Sequence, residues 1–461
     1  MNAAFRSQLV KNISTDSRTL CRGDVYIALR GDRFDGHRFI SQAVERGASA
    51  IVSEVVATSA VPVLLVKDSL RALATIARGV RELFKGPAMA VTGSAGKSST
   101  KEMITRLLGE NAVCSPASFN NLIGVSKTVF LLDEKTQYLV LEMGMNARFE
   151  IKELCEYFRP EFGLITNIGN AHVGKLGGQE EIYLAKKELF DHLLSHGTGI
   201  AVNVDDPLVV RALAGSDSGR LRSVRYSASG RDADVVVDTM AVDPKTAHLA
   251  LQMKLGRGAP FHVDLPLFGL HHGENLAGAM AVQLLMKRPE SEWMDRLKDI
   301  RPAPHRGEIF SLSSYGGKKR QNQKQLILID ESYNSNPAAL ESSLKSFAKL
   351  EPHLTKLLIL GDMLEMGEFS PKVHTDMGQF IKRLFSDHAN TLKVLGVGTE
   401  IQHLLKTLKS TFRTYEARSV LEAWDITEKS SLLDSSEVVL VKGSRGVGLE
   451  KWVEKAVAPA S

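Results

Sequence analysis

The stretch Ala88–Ser99, AMAVTGSAGKSS, decides how the whole chain is interpreted. Its leading apolar residues predict a buried strand, and the residues from Lys97 to Leu108 have a helical pattern. Gly93 and Gly96 lie in the loop between the two elements. Such a loop lets backbone N–H groups contact phosphate oxygens at a helix N-terminus, while a lysine reaches the terminal phosphate and a hydroxyl group binds Mg²⁺. The stretch therefore predicts an ATP phosphate-binding loop.

The loop departs from the usual spacing, because Val91 stands where a P-loop normally has a glycine. A glycine-rich turn that only caps an ordinary helix is the alternative, but a lysine and a serine occupy the two positions that phosphate chemistry requires. The residues expected to bind the nucleotide here are Thr92, Gly93, Ser94, Ala95, Gly96, Lys97, Ser98 and Ser99.

Chain length and two sequence breaks indicate three domains. A chain of 461 residues exceeds the size at which one hydrophobic core keeps growing. Gly86-Pro87 and the two prolines near residue 303 interrupt the periodic segments, which gives domains at 1–85, 86–300 and 301–461. Strand and helix patterns alternate in all three. We expect an α/β protein with a small N-terminal domain, a central P-loop domain with a mainly parallel sheet, and a Rossmann-like C-terminal domain.

The composition favours small anionic ligands over nucleic acid or membrane. Lys and Arg number 58 against 53 Asp and Glu, and this net charge of +5 does not require a nucleic-acid partner. The three cysteines have no paired spacing, and the sequence has neither a signal segment nor an apolar run of membrane-spanning length. We therefore expect a cytoplasmic monomer without nucleic-acid binding or membrane insertion.

Polar residues at the ends of two further predicted strands are candidates for a metal site. Glu142 ends one strand and His172 follows the next. Because the carboxyl ends of parallel strands share one crevice, both side chains can face Ser98 and bind Mg²⁺ with it. A solvated glutamate and a loop histidine are the alternatives. Further along the chain, Lys186 and Lys187 lie in a helix whose pattern predicts that both lysines face solvent.

The third domain also places polar residues after a strand. The segment Asp330–Pro337, DESYNSNP, follows a buried strand, and His305-Arg306-Gly307-Glu308 opens the domain. These residues predict a second ligand-facing edge and a cleft between the domains. The basic segment Ser313–Gln325 is interpreted as a solvated turn, with a binding arm as the alternative.

Several separated motifs resemble those of the Mur ligases, the enzymes that extend the peptide of the cell-wall precursor. The resemblance covers nearly the whole chain and rests on Ser14–Arg18, Asp35–His37, Thr92–Ser98, Glu142–Asn146, Asn170–His172, Ala185-Lys186, Gly273–Asn275, His305–Gly307, Asp330–Asn334, Gly361–Met363 and Lys442–Arg445. Glu142–Asn146 is similar to the form in members that add D-alanyl-D-alanine. The resemblance implies an ATP-dependent ligase that joins this dipeptide to UDP-N-acetylmuramoyl-tripeptide (UDP-MurNAc-tripeptide) through an acyl phosphate.

The resemblance also implies a catalytic and metal-binding set. Lys186 is expected to be carbamylated and, with Ser98, Glu142 and His172, to bind two Mg²⁺ ions. Lys97 and Arg306 are expected to neutralise the charge that builds on the transferred phosphate, with Arg306 reaching it from the third domain. The implied catalytic residues are Lys97, His172, Lys186 and Arg306.

Other residues are implied to bind the ends of the substrates. Asn275 is expected to meet the adenine of ATP and Asp330 its ribose. The residues implied for the UDP end of the acceptor are Ser17, Arg18, Asp35 and His37, and those implied for the incoming dipeptide are Asn334, Asn336 and Ser444.

Other functions are alternatives on the sequence. A tripeptide-forming Mur ligase is disfavoured by the Glu142–Asn146 motif, and a folylpolyglutamate synthase by the N-terminal Asp16-Ser17-Arg18 motif. A nucleotide switch or catalytically silent homologue predicts loss of the metal-binding residues, yet all four are present. The third residue of the acceptor peptide, meso-diaminopimelate or lysine, is not identified by the sequence.

Overall fold

The computed structural model describes residues 13–31, 34–57, 59–169, 178–214, 221–320, 325–388 and 390–458. The first part of the chain forms a small parallel sheet with strand order β1-β2-β5-β6 and a separate two-stranded hairpin, β3-β4. Its elements are β1 (Ile13–Ser14), β2 (Val25–Ile27), β3 (Arg30–Gly31), β4 (Phe34–Asp35), α1 (Ile40–Glu45), β5 (Ala50–Ser53), β6 (Val63–Leu65) and α2 (Ser69–Leu83).

The central part forms a nine-stranded sheet in which the strand before the phosphate loop lies well inside the sheet. Its strands are β7 (Ala88–Thr92), β8 (Ala112–Cys114), β9 (Tyr138–Glu142), β10 (Phe162–Ile165), β11 (Gly199–Asn203), β12 (Arg222–Ser227), β13 (Val235–Val242), β14 (Leu249–Leu255) and β15 (Phe261–Leu265). Its helices are α3 (Lys97–Leu108), α4 (Leu122–Val129), α5 (Glu150–Phe158), α6 (Gln179–His196), α7 (Pro207–Arg211) and α8 (His271–Leu285).

The order in this sheet is β15-β14-β13-β12-β11-β10-β7-β9-β8. The pairs from β8 to β13 are parallel, and only β13, β14 and β15 pair antiparallel. The sequence prediction of a mainly parallel sheet in the central domain is confirmed. Because parallel strands end at one edge, β7, β9 and β10 deliver their following residues to the same crevice.

The third part is a doubly wound α/β unit whose sheet order is β16-β19-β23-β20-β21-β22. Its strands are β16 (Glu308–Leu312), β17 (Ser314–Tyr315), β18 (Lys318–Lys319), β19 (Leu326–Glu331), β20 (Lys356–Gly361), β21 (Leu392–Val397), β22 (Arg413–Ala417) and β23 (Val438–Lys442). Its helices are α9 (Pro337–Ala348), α10 (Ser370–Leu384), α11 (Ile401–Leu408), α12 (Val420–Lys429) and α13 (Glu450–Val457). All pairs in the six-stranded sheet except β16–β19 are parallel, as expected for a Rossmann-like domain.

The central and third sheets are joined by an apolar contact as well as by the chain. One buried cluster combines side chains of both, namely Val242, Ala247 and Phe268 with Leu340, Leu344 and Phe347. Phe268 N also donates to Gly307 O at 2.9 Å. This contact holds the third sheet against the central one near the start of α8, beside the crevice.

The basic segment after β16 is only partly the solvated turn that the sequence predicts. Strands β17 and β18 form a hairpin on which Tyr315 and Arg320 are buried, while Lys318 and Lys319 are exposed. Tyr315 Oη donates to Asp434 Oδ2 at 2.7 Å, and Arg320 Nη2 donates to the carbonyl oxygens of Leu433 and Ser436. The hairpin therefore fastens the segment after α12 to the domain, a structural role that the charge pattern could not indicate.

Among the described residues, no helix combines the length and apolar character needed to span a membrane.

Candidate nucleotide and metal site

Two glycines give the phosphate-binding loop its shape. Gly93 has a φ of +150° and Gly96 a φ of +79°, conformations that other residues rarely adopt. A Cβ atom on Gly93 would lie 1.8 Å from Thr166 Oγ1, and one on Gly96 would lie 2.4 Å from Asn275 Oδ1. Both positions exclude a side chain, so the backbone of the loop can approach a phosphate group closely.

Residues that follow β10 hold the loop from one side. Ala95 N donates to Asn167 Oδ1 at 3.0 Å, and Thr166 Oγ1 donates to Ala95 O at 2.5 Å. Gly169 N donates to Ser94 Oγ at 2.9 Å. The loop is fixed by these bonds before any nucleotide binds, which lowers the entropy cost of binding.

Two polar groups of the loop fit an anionic ligand. Lys97 Nζ donates to Gly93 O at 2.8 Å, and burial lowers the pKa of the Lys97 ammonium group. Thr92 Oγ1 is buried and has no hydrogen-bond partner among the described residues. A phosphate at the start of α3 would add negative charge beside the buried ammonium group, which is otherwise near the Glu142 carboxylate.

Ser98 and Glu142 meet as the sequence predicts. Ser98 Oγ donates to Glu142 Oε2 at 2.8 Å, and Asn120 Nδ2 donates to Glu142 Oε1 at 3.0 Å. Glu142 is only 1% exposed. A buried carboxylate beside a hydroxyl group offers the oxygen ligands that Mg²⁺ prefers, so this pair fits a magnesium ion bound next to the phosphates.

Lys186 differs from the solvent-facing lysine that the helix pattern predicts. The residue is 2% exposed, whereas the side chain of its neighbour Lys187 is 29% exposed and pairs with Asp191. Burial, and next the positive charge of Lys97, hold the pKa of Lys186 well below its usual value. The prediction was therefore wrong for Lys186, because α6 packs on more than one side. The other predicted ligand, His172, lies outside the described residues.

Side chains of the third domain reach the central domain across a cavity of about 570 Å³. Arg306 Nη2 donates to Ser118 Oγ at 3.3 Å, and Tyr333 Oη donates to the same oxygen at 2.6 Å. Ser118 Oγ lies 3.2 Å from Ser98 Oγ. The Arg306 and Arg445 guanidinium groups lie 3.8 and 4.9 Å from the centre of the Tyr333 ring. Two cations of the third domain thus lie beside the proposed magnesium site.

Asp330 lies at the end of β19 in a satisfied cluster. Its Oδ2 is 2.7 Å from His305 Nδ1, and its Oδ1 accepts the N–H of Ser332. Glu308 Oε2 accepts the N–H of His305 at 2.7 Å. His305, Glu308 and Asp330 lie close enough together to surround a cation, but His305 and Asp330 are already paired with each other. Asp330 is fully buried beneath these contacts, and its role at a ribose stays a prediction.

Asn275 lies beside the loop, and its predicted contact with adenine stays a prediction. Its neighbour Glu274 is part of the Gly273–Asn275 motif, but the sequence assigned it no role. Asn275 Oδ1 accepts a hydrogen bond from Thr100 Oγ1 at 3.2 Å. Glu274 Oε1 accepts one from Asn203 Nδ2 at 2.8 Å. Burial, reinforced by the charge of Asp205, raises the pKa of Glu274 to about 7. The edge of the crevice beyond Asn275 is therefore acidic and partly desolvated.

The three residues implied for the dipeptide lie close together at the end of β19 and β23. Asn336 Oδ1 caps α9 by accepting the N–H of Ala339. Ser444 Oγ donates to Ser335 O at 3.0 Å, and Asn334 O accepts from Lys442 Nζ at 3.3 Å. Asn336 and Ser444 thus have local structural bonds, and their contact with the dipeptide stays a prediction.

In the N-terminal domain the four implied residues differ in exposure: the side chains of Ser17 and His37 are covered, that of Asp35 is partly exposed and that of Arg18 is exposed. Ser17 Oγ donates to Gln42 Oε1 at 2.7 Å, and His37 Nδ1 lies 2.6 Å from Asp35 Oδ1. Arg18 is 81% exposed in its side chain and pairs with Asp16 at 2.7 Å. Arg18 therefore has the most exposed side chain of the set.

The fold and the site fit a class of enzymes. A P-loop-like site beside a buried carboxylate, faced by arginines from a Rossmann-like domain, suits nucleotide-dependent bond formation in an interdomain cleft. Family profiles match three segments in turn. Residues 9–81 match the Mur ligase family catalytic domain, residues 91–283 the Mur ligase middle domain, and residues 318–445 the Mur ligase glutamate ligase domain.

Individual relatives agree with the profiles. The chain is 34% identical over 383 residues to a UDP-N-acetylmuramoyl-tripeptide–D-alanyl-D-alanine ligase of Synechocystis sp., which covers 82% of this chain and 78% of the relative. It is 30% identical over 448 residues to the Escherichia coli enzyme of that name, covering 96% and 92%. The crystal structure of MurF from Acinetobacter baumannii superimposes with a TM-score of 0.81 at 27% identity, covering 96% and 92%. The chain belongs to the Mur ligase family.

Proposed function

We propose that this chain is an ATP-dependent ligase that joins D-alanyl-D-alanine to UDP-MurNAc-tripeptide and releases ADP and phosphate, as a step in peptidoglycan precursor synthesis. The observation that carries the chemistry is the buried pair of Ser98 and Glu142, 2.8 Å apart at the phosphate loop and facing Arg306. The identity of the two substrates follows the names of the relatives. The reaction takes place between cytoplasmic substrates, and the chain works as a monomer.

The first half-reaction is phosphoryl transfer. A carboxylate oxygen of the tripeptide attacks the γ-phosphorus of ATP, the bond to the β,γ-bridging oxygen breaks, and ADP leaves with that electron pair. Lys97 and Arg306 offset the negative charge that spreads over the transferred group. The backbone N–H groups of the Gly93–Lys97 loop hold the phosphates in line for attack.

The second half-reaction forms the peptide bond. The neutral amine of D-alanyl-D-alanine attacks the acyl carbon, and phosphate leaves with the carbon–oxygen electron pair. The amine loses a proton in the same step. Water would hydrolyse the acyl phosphate, so the contacts of Tyr333 and Arg306 with Ser118 serve to close the cleft during the reaction.

Magnesium ions fit the oxygen-rich side of the loop. Ser98, Glu142 and a carbamylated Lys186 would hold them, with His172 as a further ligand, and bound Mg²⁺ would supply charge neutralisation for the phosphates. The low pKa of Lys186 supports carbamylation, because only a neutral amine adds to carbon dioxide, forming an N–C bond and releasing a proton. Asn275 and Asp330 remain our candidates for adenine and ribose, and Ser17, Arg18, Asp35 and His37 for the UDP end.

Oxygen-isotope transfer tests the acyl phosphate. The terminal carboxylate of UDP-MurNAc-tripeptide is labelled with oxygen-18, and the released phosphate is analysed by mass spectrometry. Because one carboxylate oxygen leaves with phosphate, we expect one labelled oxygen in each phosphate. Unlabelled phosphate, formed at the same rate as peptide product, would exclude this route.

A tripeptide-forming Mur ligase is the alternative within the family. It would use UDP-MurNAc-dipeptide and a single amino acid in place of D-alanyl-D-alanine. Product mass with each acceptor pair separates the two activities. The same assay with acceptors that end in meso-diaminopimelate or in lysine identifies the third residue of the natural substrate.

A further inference from the structure

Lys101, in the second turn of α3, is fully buried. Its Nζ donates to Ser115 O at 2.5 Å and to Ala117 O at 2.7 Å. The same nitrogen lies 3.1 Å from Glu102 Oε1 and 3.9 Å from Glu142 Oε2. A buried ammonium group is tolerated only where oxygen atoms surround it in this way, so Lys101 and the segment that it binds fix each other.

The segment bound by Lys101, residues 115–120, supports the proposed metal ligand. Glu142 N donates to Ser115 Oγ at 3.1 Å, and Asn120 Nδ2 donates to Glu142 Oε1 at 3.0 Å. Gly144 N donates to Asn120 O at 2.8 Å. The 115–120 segment therefore runs along the end of β9 and contacts both the backbone N–H and the carboxylate of Glu142.

The same segment contains a strained residue next to the contact with the third domain. Ala117 has a φ of +47°, a conformation that costs free energy for a residue with a side chain and persists only where its surroundings hold it. Its carbonyl oxygen is one of the two that Lys101 binds. Ser118, which follows, accepts the hydrogen bonds of Tyr333 and Arg306. The hydrogen bond from Lys101 to Ala117 O thus sets the position of Ser118.

We propose that Lys101 is a positioning residue for the ligation: it holds the 115–120 segment so that Ser118 meets the third domain while Ser115 and Asn120 support Glu142. Lys101 itself touches neither nucleotide nor acceptor in this role. This proposal rests on the proposed function only for the identity of the reaction. The hydrogen bonds between Lys101 and the segment are present without turnover.

A matched control lies in the third domain. Lys356 is also fully buried, and its Nζ donates to two backbone carbonyl oxygens, those of Leu350 at 3.2 Å and Glu351 at 2.7 Å. It contacts neither Glu142 nor the 115–120 segment in the hydrogen bonds of the described residues. Lys101→Met and Lys356→Met therefore remove the same chemistry from a buried site, and only the first removes the hold on Ser118.

Hydrogen–deuterium exchange of the complete chain tests the hold without any substrate. In Lys101→Met we expect amide exchange in residues 115–120 to become about tenfold faster or more, because two buried carbonyl oxygens lose a charged donor. In Lys356→Met that segment exchanges as in the wild type. Equal exchange of residues 115–120 in all three proteins overturns the proposal, whether or not the wild type proves to be a ligase.

Kinetics test the positioning role. We expect Lys101→Met to lower kcat about tenfold or more, as loss of a residue that orients a metal site does, while its affinity for ADP changes less than twofold. Ser118→Ala should lower kcat too, and adding Lys101→Met to it should cost less than Lys101→Met costs in the wild type, because part of the effect of Lys101 passes through Ser118. Full additivity, or a parallel loss of ADP affinity, contradicts the proposal. If Lys101→Met does not fold, Lys101→Arg replaces it. We then expect faster exchange of residues 115–120 and a lower kcat, each changed less than expected for Lys101→Met. Wild-type exchange and kcat in Lys101→Arg contradict the proposal.

Discussion

The hydroxyl group of Tyr333 donates a hydrogen bond to the hydroxyl group of Ser118 at 2.6 Å, between residues 215 positions apart in the chain. Ser118 Oγ is also 3.2 Å from Ser98 Oγ, which donates to Glu142. A single line of hydroxyl groups thus connects the third domain to the proposed metal site. We expect closure of the cleft to be coupled to assembly of the site through this line.

Tyr333→Phe removes this bond and keeps the ring between the two arginines. We expect kcat to fall about fivefold, the effect of one hydrogen bond, with little change in the KM for ATP. Steady-state kinetics of the purified variant give both constants. Tyr315→Phe is the control. It also removes one hydrogen bond from a tyrosine hydroxyl group, but that bond joins the β17–β18 hairpin to Asp434. Equal kcat values for the two variants would argue against a role for the Ser118 contact.

Lys186→Ala removes the proposed carbamate. We expect turnover to be nearly abolished, because the metal site loses an anionic oxygen ligand. A short carboxylic acid such as formate or acetate, added to the assay, should restore part of it by filling the vacated space. Lys187→Ala is the control, since that lysine is partly exposed and pairs with Asp191. An unrescued Lys186→Ala variant with wild-type turnover disproves the role of Lys186.

Glu274→Gln tests the raised pKa of Glu274. Because the folded pKa of about 7 exceeds the ordinary glutamate value of 4.5, the folded protein binds this proton more tightly than the unfolded chain does. Stability should therefore fall as the pH rises from about 4.5 to about 7, and the loss should be complete above that window. Glu274→Gln keeps an acceptor for Asn203. Relative to the wild type, its free energy of unfolding should be higher by up to about 3 kcal/mol at pH 8 and little changed at pH 5.

Denaturant unfolding at pH 5 and pH 8 measures this difference. Glu134→Gln, at an exposed position, controls for the loss of one negative charge. A Glu274→Gln variant whose stability relative to the wild type is the same at both pH values would show that burial does not disfavour the Glu274 carboxylate.

Arg320→Met tests the structural role of the β17–β18 hairpin. Loss of the Arg320 guanidinium group leaves the carbonyl oxygens of Leu433 and Ser436 without a charged donor. We therefore expect the free energy of unfolding to fall by about 2 kcal/mol or more. Turnover per folded molecule should stay unchanged, because the hairpin lies away from the cleft. Lys319→Met, at an exposed position of the same hairpin, should alter neither quantity. Loss of turnover in Arg320→Met without loss of stability would instead favour a binding arm.

The sequence predicted the features that contiguous residues determine. The strand, loop and helix around Gly93–Lys97 could be predicted because the residues that specify them are consecutive in the chain. The predicted parallel order of the strands then indicated that Glu142 lies beside Ser98. The burial of Lys186 escaped prediction because α6 packs broadly, and the resemblance, rather than the periodicity, singled it out. Strand β22 escaped because its RTYEA sequence is polar, as suits the edge of a sheet.

Contacts between distant residues could not be predicted from spacing. Lys101, Ser118 and Tyr333 acquire their roles from hydrogen bonds that only the folded chain brings together. The same limit applies to the implied substrate residues, since Ser17, Asn336 and Ser444 prove to have local structural bonds. These residues were chosen by motif, and their contacts with ligands remain predictions.

The central claim is that this chain couples ATP cleavage to the joining of UDP-MurNAc-tripeptide and D-alanyl-D-alanine. The most direct test measures phosphate release from ATP with both substrates, with each alone and with neither, and determines the mass of the uridine product. We predict rapid release only with both substrates, and a product heavier than the tripeptide by one dipeptide less one water. Equally fast release without D-alanyl-D-alanine, or an unchanged uridine product, would contradict the account.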